Sequence, residues 1–334
     1  MLKRMFLCLL CLLMISSACP AEELPAQAYT CKISLLPEIP EETMKTVFAA
    51  YMVPGCEAEY YEGFAWCPSL IMSGEGWYPS PRVAEDNERI RNCREIAEKL
   101  LHAVYPDEKP ELVTAMSYRA YLEWELKTRL NFELKDGQWN YLGKPITPEM
   151  EETLKTAGLS HADDRARMEA FDPSWTILHY HSGNVCGLPV GWQYDAGNTF
   201  AFIFNGENQL VSVMLGRSFA TEPVKEASVR ISREEALQLA REHAAKQQGY
   251  DWRGYVGDPY DDLLKELGYS SIRSEMVSED EVRPVMVAND KGQLQPAWEC
   301  LESFRVIADG EVIQEHFQGP MAFFLSAEDG TPLE

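Results

Sequence analysis

Residues 231–245 read ISREEALQLAREHAA, and they constrain the fold through what must lie beneath them. Ser232 is placed to cap a helix, and Glu235 three residues on closes a capping box that sets the first turn. Ala236, Leu237, Ala240 and Ala244 recur on one face, and side chains this small let a helix lie close on a sheet. Gly249 ends the segment. Strands to receive the helix follow downstream: Val285 to Ala288, a turn at Asn289 to Gly292, Leu294 to Val306, a turn at Asp309-Gly310, and Met321 to Leu325 before Asp329-Gly330. Within Leu294 to Val306, alternation sends Trp298, Cys300, Phe304 and Val306 to one face and Glu299, Ser303 and Arg305 to the other, as in a half-buried strand.

A similar plan is legible upstream. Glu85 to Val104 is a helix whose Ile90, Cys93, Ile96, Ala97, Leu100, Leu101 and Val104 recur three and four apart before Pro106. Trp175 to His181, Leu188 to Tyr194, Phe200 to Phe204 and Leu210 to Leu215 are strands separated by turns such as Asn205-Gly206. Shorter helices are expected over Glu41 to Met52, between Thr147 and Gly158, and near Asp261 to Leu267, with a strand over Cys56 to Tyr61. Residues 63–82 are loop. Residues 112–142 carry both helical and alternating patterns, with Asp136-Gly137 favouring a hairpin over Leu130 to Leu142.

The strands in FAFIFNGENQL (residues 200–210) and MAFFLSAEDGTPL (residues 321–333) are apolar on both faces, so one helix cannot cover either. The two halves are therefore expected to pack on each other, or to take a partner on the open face. The fold class is α+β, with two tandem units of helix plus antiparallel β-meander: residues 41–228 and residues 229–334.

The first residues read as an export signal. Lys3 and Arg4 precede an apolar run from Met5 to Ile15, too short for a lasting span of about 20 residues, and Ser16, Ser17 and Ala18 lead to Cys19. Ser-Ser-Ala-Cys resembles a bacterial lipobox, with Ser16 where that signal prefers Leu. The resemblance implies cleavage after residue 18 and a lipid on Cys19, with residues 19–40 as a tether whose Cys31 and Ile33 to Leu36 are apolar enough to join the fold. The alternative is ordinary cleavage after Ala18 or Ala21 and a secreted chain. Losing Lys3 and Arg4 moves the net charge from −23 to −25, a surface that repels nucleic acid and anionic lipid.

Cys31, Cys56, Cys67, Cys93, Cys186 and Cys300 remain after processing. An even number in an exported chain suggests disulfides, whose pairing the sequence leaves open, and the clustering of four between residues 31 and 93 suggests a local staple. The alternative is free buried thiols.

Candidate chemistry is sparse. His179 and His181 share a strand face as paired metal ligands would, but no third ligand follows at a diagnostic spacing, and structural histidines are the expectation. Gly216-Arg217-Ser218-Phe219-Ala220 approaches a nucleophile elbow without its final glycine. Asp258, Asp261 and Asp262 lack calcium-loop spacing and suit a helix N-terminus. Trp66, Trp77 and Tyr78 could stack on a glycan or peptide, or pack under a loop. No catalytic residues, metal site or cofactor are assigned.

Residues 231–334, with I-S-x-E-E-A opening a helix, P-A-W in a long strand and A-x-D-G closing the last, resemble the PepSY-type repeat of exported Gram-positive proteins. They also resemble the envelope regulators related to YycH and YycI. The whole chain resembles an uncharacterised lipoprotein family of gut Clostridia-type bacteria. The resemblance implies a PepSY/cystatin-like fold and a role in inhibiting peptidases or modulating envelope signalling. The motif residues are cap, core and turn, so no functional residue is carried over. The expectation is a non-enzymatic, lipid-anchored extracytoplasmic module that binds an envelope protein or peptide. An exported hydrolase with dispersed acidic or histidine groups, and a structural surface protein, are the alternatives.

Overall fold

The computed structural model describes residue 24 and residues 28–70, 82–181, 184–191, 199–216, 218–249, 251–289 and 291–333. The export signal, Cys19, Trp77, Tyr78, Arg217 and residues 192–194 of an expected strand lie outside them. The first half runs β1 (Ala28–Leu35), α1 (Glu41–Phe48), β2 (Glu59–Tyr61), β3 (Phe64–Trp66), α2 (Glu88–Val104), β4 (Glu111–Ser117) and α3 (Tyr118–Leu130). It continues through β5 (Phe132–Lys135), β6 (Gln138–Tyr141), β7 (Lys144–Pro145), α4 (Pro148–Thr156), α5 (Ala162–Ala170) and β8 (Thr176–His181). Then come β9 (Asn184–Val185), β10 (Leu188–Pro189), β11 (Thr199–Phe204), β12 (Leu210–Leu215) and β13 (Phe219–Ala227). The second half runs α6 (Arg233–Lys246), α7 (Trp252–Val256), α8 (Tyr260–Leu267), β14 (Ile272–Ala288), β15 (Gln293–Ala308), β16 (Glu311–Ser326) and β17 (Pro332–Leu333). The protein is α+β with antiparallel sheets. Among the described residues no helix is long and apolar enough to cross a membrane.

The capping box forms as read: Ser232 Oγ accepts from the Glu235 amide at 3.2 Å, and the Ser232 amide donates to Glu235 Oε2 at 2.8 Å. Ala236 and Ala240 are buried against Val282, Trp298, Cys300 and Leu325, so α6 lies close on β14, β15 and β16. Trp298 Nε1 donates to the Ile231 carbonyl at 3.0 Å and pins the helix start to the sheet. At the other end Gly249 passes so near β14 that a Cβ there would sit 1.8 Å from the Ser274 carbonyl oxygen.

Expectations change at β14 and β15, residues 64–66 of the expected loop pair as β3, and the open choice over residues 118–130 resolves. β14 starts at Ile272, well before Val285, because the polar run Ser278 to Glu281 hides a strand that continues through a bulge between Ser278 and Val282. Residues 118–130 are helix: Ser117 Oγ accepts from the Ala120 amide at 3.1 Å, and Asn131 stops the helix at φ 64. And β15 is buried on both faces rather than one, with Glu299 1 % and Glu302 4 % exposed.

The sheets also ignore the expected boundaries. One sheet takes the order β2-β3-β12-β11-β8-β4. Its Tyr180, Phe200 and Phe202 face α2, where Tyr105 packs on Phe200. Its opposite face carries His179, with Tyr121 of α3 edge-on to it at 5.7 Å. The other large sheet runs β13-β1-β15-β16-β17 with β14 also on β15, so β1, which holds the Cys31 and Ile33 read as apolar enough to join the fold, is a paired strand. β1 and β13 thus precede residue 229 yet belong to the sheet of the second half. A shared core joins Leu126, Phe132, Tyr141 and Leu154 to Trp252, Leu263, Val306 and Phe317. Gly191 abuts Phe324 of β16, 2.6 Å from any Cβ placed there. β11 is covered on both faces by helices of its own half, α2 and α3, whereas β16 takes α6 on one face and Gly191 of the first half on the other.

Candidate functional site at the seam of the sheets

A buried network of charge lies where the two large sheets meet. β4, β8 and β11 set Glu111, His181 and Thr199 in one cross-strand row. Opposite, β14 and β15 pair Arg283 with Glu299. A third segment enters alongside β4, where the Ala115 amide donates to the Val83 carbonyl at 2.7 Å and the Glu85 amide to the Ala115 carbonyl at 2.8 Å. That pairing delivers Arg82.

Glu299 Oε2 accepts from Arg82 Nη2 at 2.5 Å and from Arg283 Nε. Arg82 Nη1 reaches Glu281 at 3.1 Å, and Arg283 Nη1 reaches Glu111 Oε1 at 3.2 Å. Burial opposes ionisation of Glu299, yet Arg283 and Arg82 outweigh it and hold the carboxyl down to about 2. Burial, then the Arg283 cation, pushes His181 down to about 3. At neutral pH the seam therefore holds an ionised glutamate, two guanidinium groups and a neutral imidazole. A general acid or base works best with a pKa near the working pH, and neither Glu299 nor His181 has one. Glu299 joins strands; it is not poised to move a proton.

Four buried polar atoms around this row have no hydrogen-bond partner among the described residues: Glu111 Oε2, His181 Nδ1, Thr199 Oγ1 and Arg283 Nη2. Donors and acceptors are mixed, so the row suits a small polar group, and a buried water serves as well as a ligand. His179 and His181 share a face as read, with His179 buried and edge-on to Tyr121. Among the described residues no cluster of three metal-ligating side chains occurs.

The remaining candidates resolve locally. Ser218 follows β12 but leads into β13 where an elbow requires a helix, and its hydroxyl donates to Glu108. Asp261 and Asp262 sit in the first turn of α8, where they favour the helix dipole, and Asp261 pairs with Arg253 at 2.8 Å. Pro259, rather than an aspartate, occupies the N-cap. Trp66 packs on Tyr61 and Phe64. His243, unremarked in the sequence, takes Glu302 on Nδ1 at 2.9 Å and Gln247 on Nε2 at 3.0 Å while stacking on Phe323. Both ring nitrogens are engaged.

All six cysteines among the described residues are thiols in the structure. Cys31 meets Cys186 with their Sγ atoms 3.6 Å apart. Cys67 contacts Cys56. Cys93 and Cys300 are buried on α2 and β15.

Arg82, Glu111, Arg283 and Glu299 were not singled out in the sequence. The one local signal is Glu299 itself, a carboxylate between Trp298 and Cys300 in an otherwise apolar run.

No protein-family model matches the chain, and no curated protein matches it. Among solved structures it is similar to an uncharacterised protein from Eubacterium rectale, with 10% identity and a TM-score of 0.43, over 94% of this chain and 88% of that one. It is also similar to the Bacillus megaterium YpeB C-terminal domain, with 8% identity and a TM-score of 0.30, over 91% of this chain and 88% of that one. At that likeness neither name says what this chain binds.

Proposed function

We propose that the protein is a non-enzymatic binding or regulatory module, held at the outer face of the membrane by a lipid on Cys19, whose partner is an envelope protein or peptide. The observation that carries this reading is β13. It is the outermost strand of its sheet, with β1 as its one paired neighbour among the described residues. Residues Thr221 to Glu226 are exposed without alternation, and Val224 is 53% exposed. A strand covered on neither face, with an open edge, is a template for an added extended segment. Pro223 removes one donor, and Glu222, Lys225 and Glu226 put charge on the edge, which guards it against indiscriminate pairing.

The seam supports the same reading. Its ionisable groups are spent in joining β14 and β15 to β4 and residue 82, which suits a module that binds rather than one that turns over substrate.

The test is a photo-crosslinking residue at Val224 in the tagged full chain, expressed in its native envelope, with the same residue at exposed Val312 as control. A partner crosslinked from position 224 and not from 312 is expected. Recovering none under several growth conditions would count against the reading. The anchor is tested separately: radiolabelled palmitate should enter the wild type and not a Cys19→Ser form.

A further inference from the structure

Two cysteine pairs are assembled by the fold, and two cysteines are left apart. Cys31 on β1 and Cys186 in the turn between β9 and β10 are 155 positions apart in sequence, yet their Sγ atoms lie 3.6 Å from each other. They belong to one small apolar cluster with Val185, Leu188, Met286 and Leu294. Cys56 and Cys67 flank the β2–β3 hairpin, whose pairing of Glu59 with Trp66 sets them as neighbours across its open end, with Cys56 Sγ also 3.9 Å from Ser69 Oγ. Cys93, by contrast, turns to Asn208 Oδ1 at 3.5 Å, and Cys300 to the Trp298 carbonyl at 3.9 Å.

We infer that the exported protein carries two disulfides, Cys31–Cys186 and Cys56–Cys67, while Cys93 and Cys300 remain thiols. Thiols in van der Waals contact need to approach by only about 1.5 Å to reach a bond of about 2.05 Å, a shift that side-chain torsions provide. The proposed location outside the cytoplasm supplies the oxidant, a protein or small-molecule disulfide. Half-buried Cys186 attacks that disulfide as a thiolate, bonds one of its sulfurs and releases the other as a thiol. Cys31 then attacks the Cys186 sulfur, forming the new bond and releasing the second thiol. Two electrons pass to the external disulfide, and the two cysteine protons end on its two thiols. Burial, with Cys186 beside it, pushes the Cys31 thiol up to about 12, so half-buried Cys186 is the one placed to meet the oxidant first. Cys67 is held to about 12 in the same way, by burial and then by Cys56, which makes half-buried Cys56 the first attacker of its pair.

The first bond has a mechanical consequence. β1 pairs with β15 through Cys31↔Leu294 and Lys32↔Gln293 alone. A bond to Cys186 also ties β1 to the β9–β10 hairpin, a second attachment to the first half besides its pairing with β13.

The purified full chain is incubated in mixed reduced and oxidised glutathione, and remaining thiols are capped with iodoacetamide under denaturing conditions. It is then cut with trypsin and a glutamate-specific protease, and unreduced peptides are mapped by mass spectrometry. Linked peptides joining Cys31 to Cys186 and Cys56 to Cys67, with Cys93 and Cys300 capped, are expected. Capped thiols at the four paired positions, or either remaining cysteine in a linked pair, overturns the assignment. In a Cys31→Ser form Cys186 should be capped and Cys56–Cys67 intact; Cys186 linked elsewhere overturns it too. Acid-trapped protein from the native envelope is mapped in the same way. Thiols there, with bonds forming in glutathione, tell against export and leave the pairing standing.

Discussion

Arg283 faces Glu299 directly across the β14–β15 pair and donates its Nε to the carboxylate that Arg82 grips from the other sheet. Glu299 is 1 % exposed and Arg283 12 %. A carboxylate so deeply buried is stable only while both guanidinium groups are present, because water no longer solvates it.

Removing one partner should therefore cost more than removing the set. Arg283→Ala is expected to lower stability by about 3–5 kcal/mol by leaving Glu299 charged and half-paired, whereas Arg283→Met with Glu299→Leu should cost much less. Urea unfolding of the single and double forms measures the difference.

Acid should act on the seam in two windows. His181 is held near 3 when folded, below its ordinary 6.5. The unfolded chain therefore takes up a proton first, and stability falls as pH drops from about 6.5 toward 3. Glu299 is held near 2, below its ordinary 4.5. Its contribution, on the order of 3 kcal/mol, is present above about 4.5 and lost as pH falls toward 2. Urea midpoints from pH 8 to pH 4 should decline in the wild type, and His181→Phe should flatten the decline between pH 6.5 and 5.

Ala240, on the sheet-facing side of α6, is fully buried in the core with Val282 and Trp298. Ala240→Leu should destabilise the protein by about 1–3 kcal/mol by lifting the helix off its sheet. Near-ultraviolet circular dichroism should report the displaced Trp298, and an unchanged urea midpoint would refute the close packing.

The shared core predicts one unfolding transition. Phe317 is 1% exposed against Trp252, in the cluster that also holds Phe132 and Tyr141. Phe317→Ala should cost about 3–5 kcal/mol and move the whole transition. Residues 229–334 expressed alone lack β1 and β13 and should not give a dispersed amide spectrum. Two calorimetric transitions in the full chain would contradict the interlocking.

Local chemistry was legible where neighbours in sequence are neighbours in space. Ser232 and Glu235 are three residues apart, so their cap is written in the chain, as are the alanine face of α6 and the turn after β11. The helix over residues 118–130 was not separable from a strand, because Tyr121, Leu122, Glu123, Trp124 and Glu125 satisfy both periods and the choice falls to the cap at Ser117. The two cysteine contacts divide in the same manner: Cys56 and Cys67 sit on either side of one hairpin, whereas Cys31 and Cys186 meet only through the fold.

The sequence by itself determined an α+β chain with antiparallel strands, the start of α6 and the face it buries, and the alternation that sets Glu299 opposite Trp298. What covers Glu299 was decided by tertiary structure alone. Arg82 lies 217 positions away, and its approach depends on residues 82–85 running beside β4. Periodicity records which face of a strand a side chain occupies. Whether that face meets water or another sheet depends on long-range packing, which is why a residue read as solvent-facing became the best-buried charge in the protein's seam.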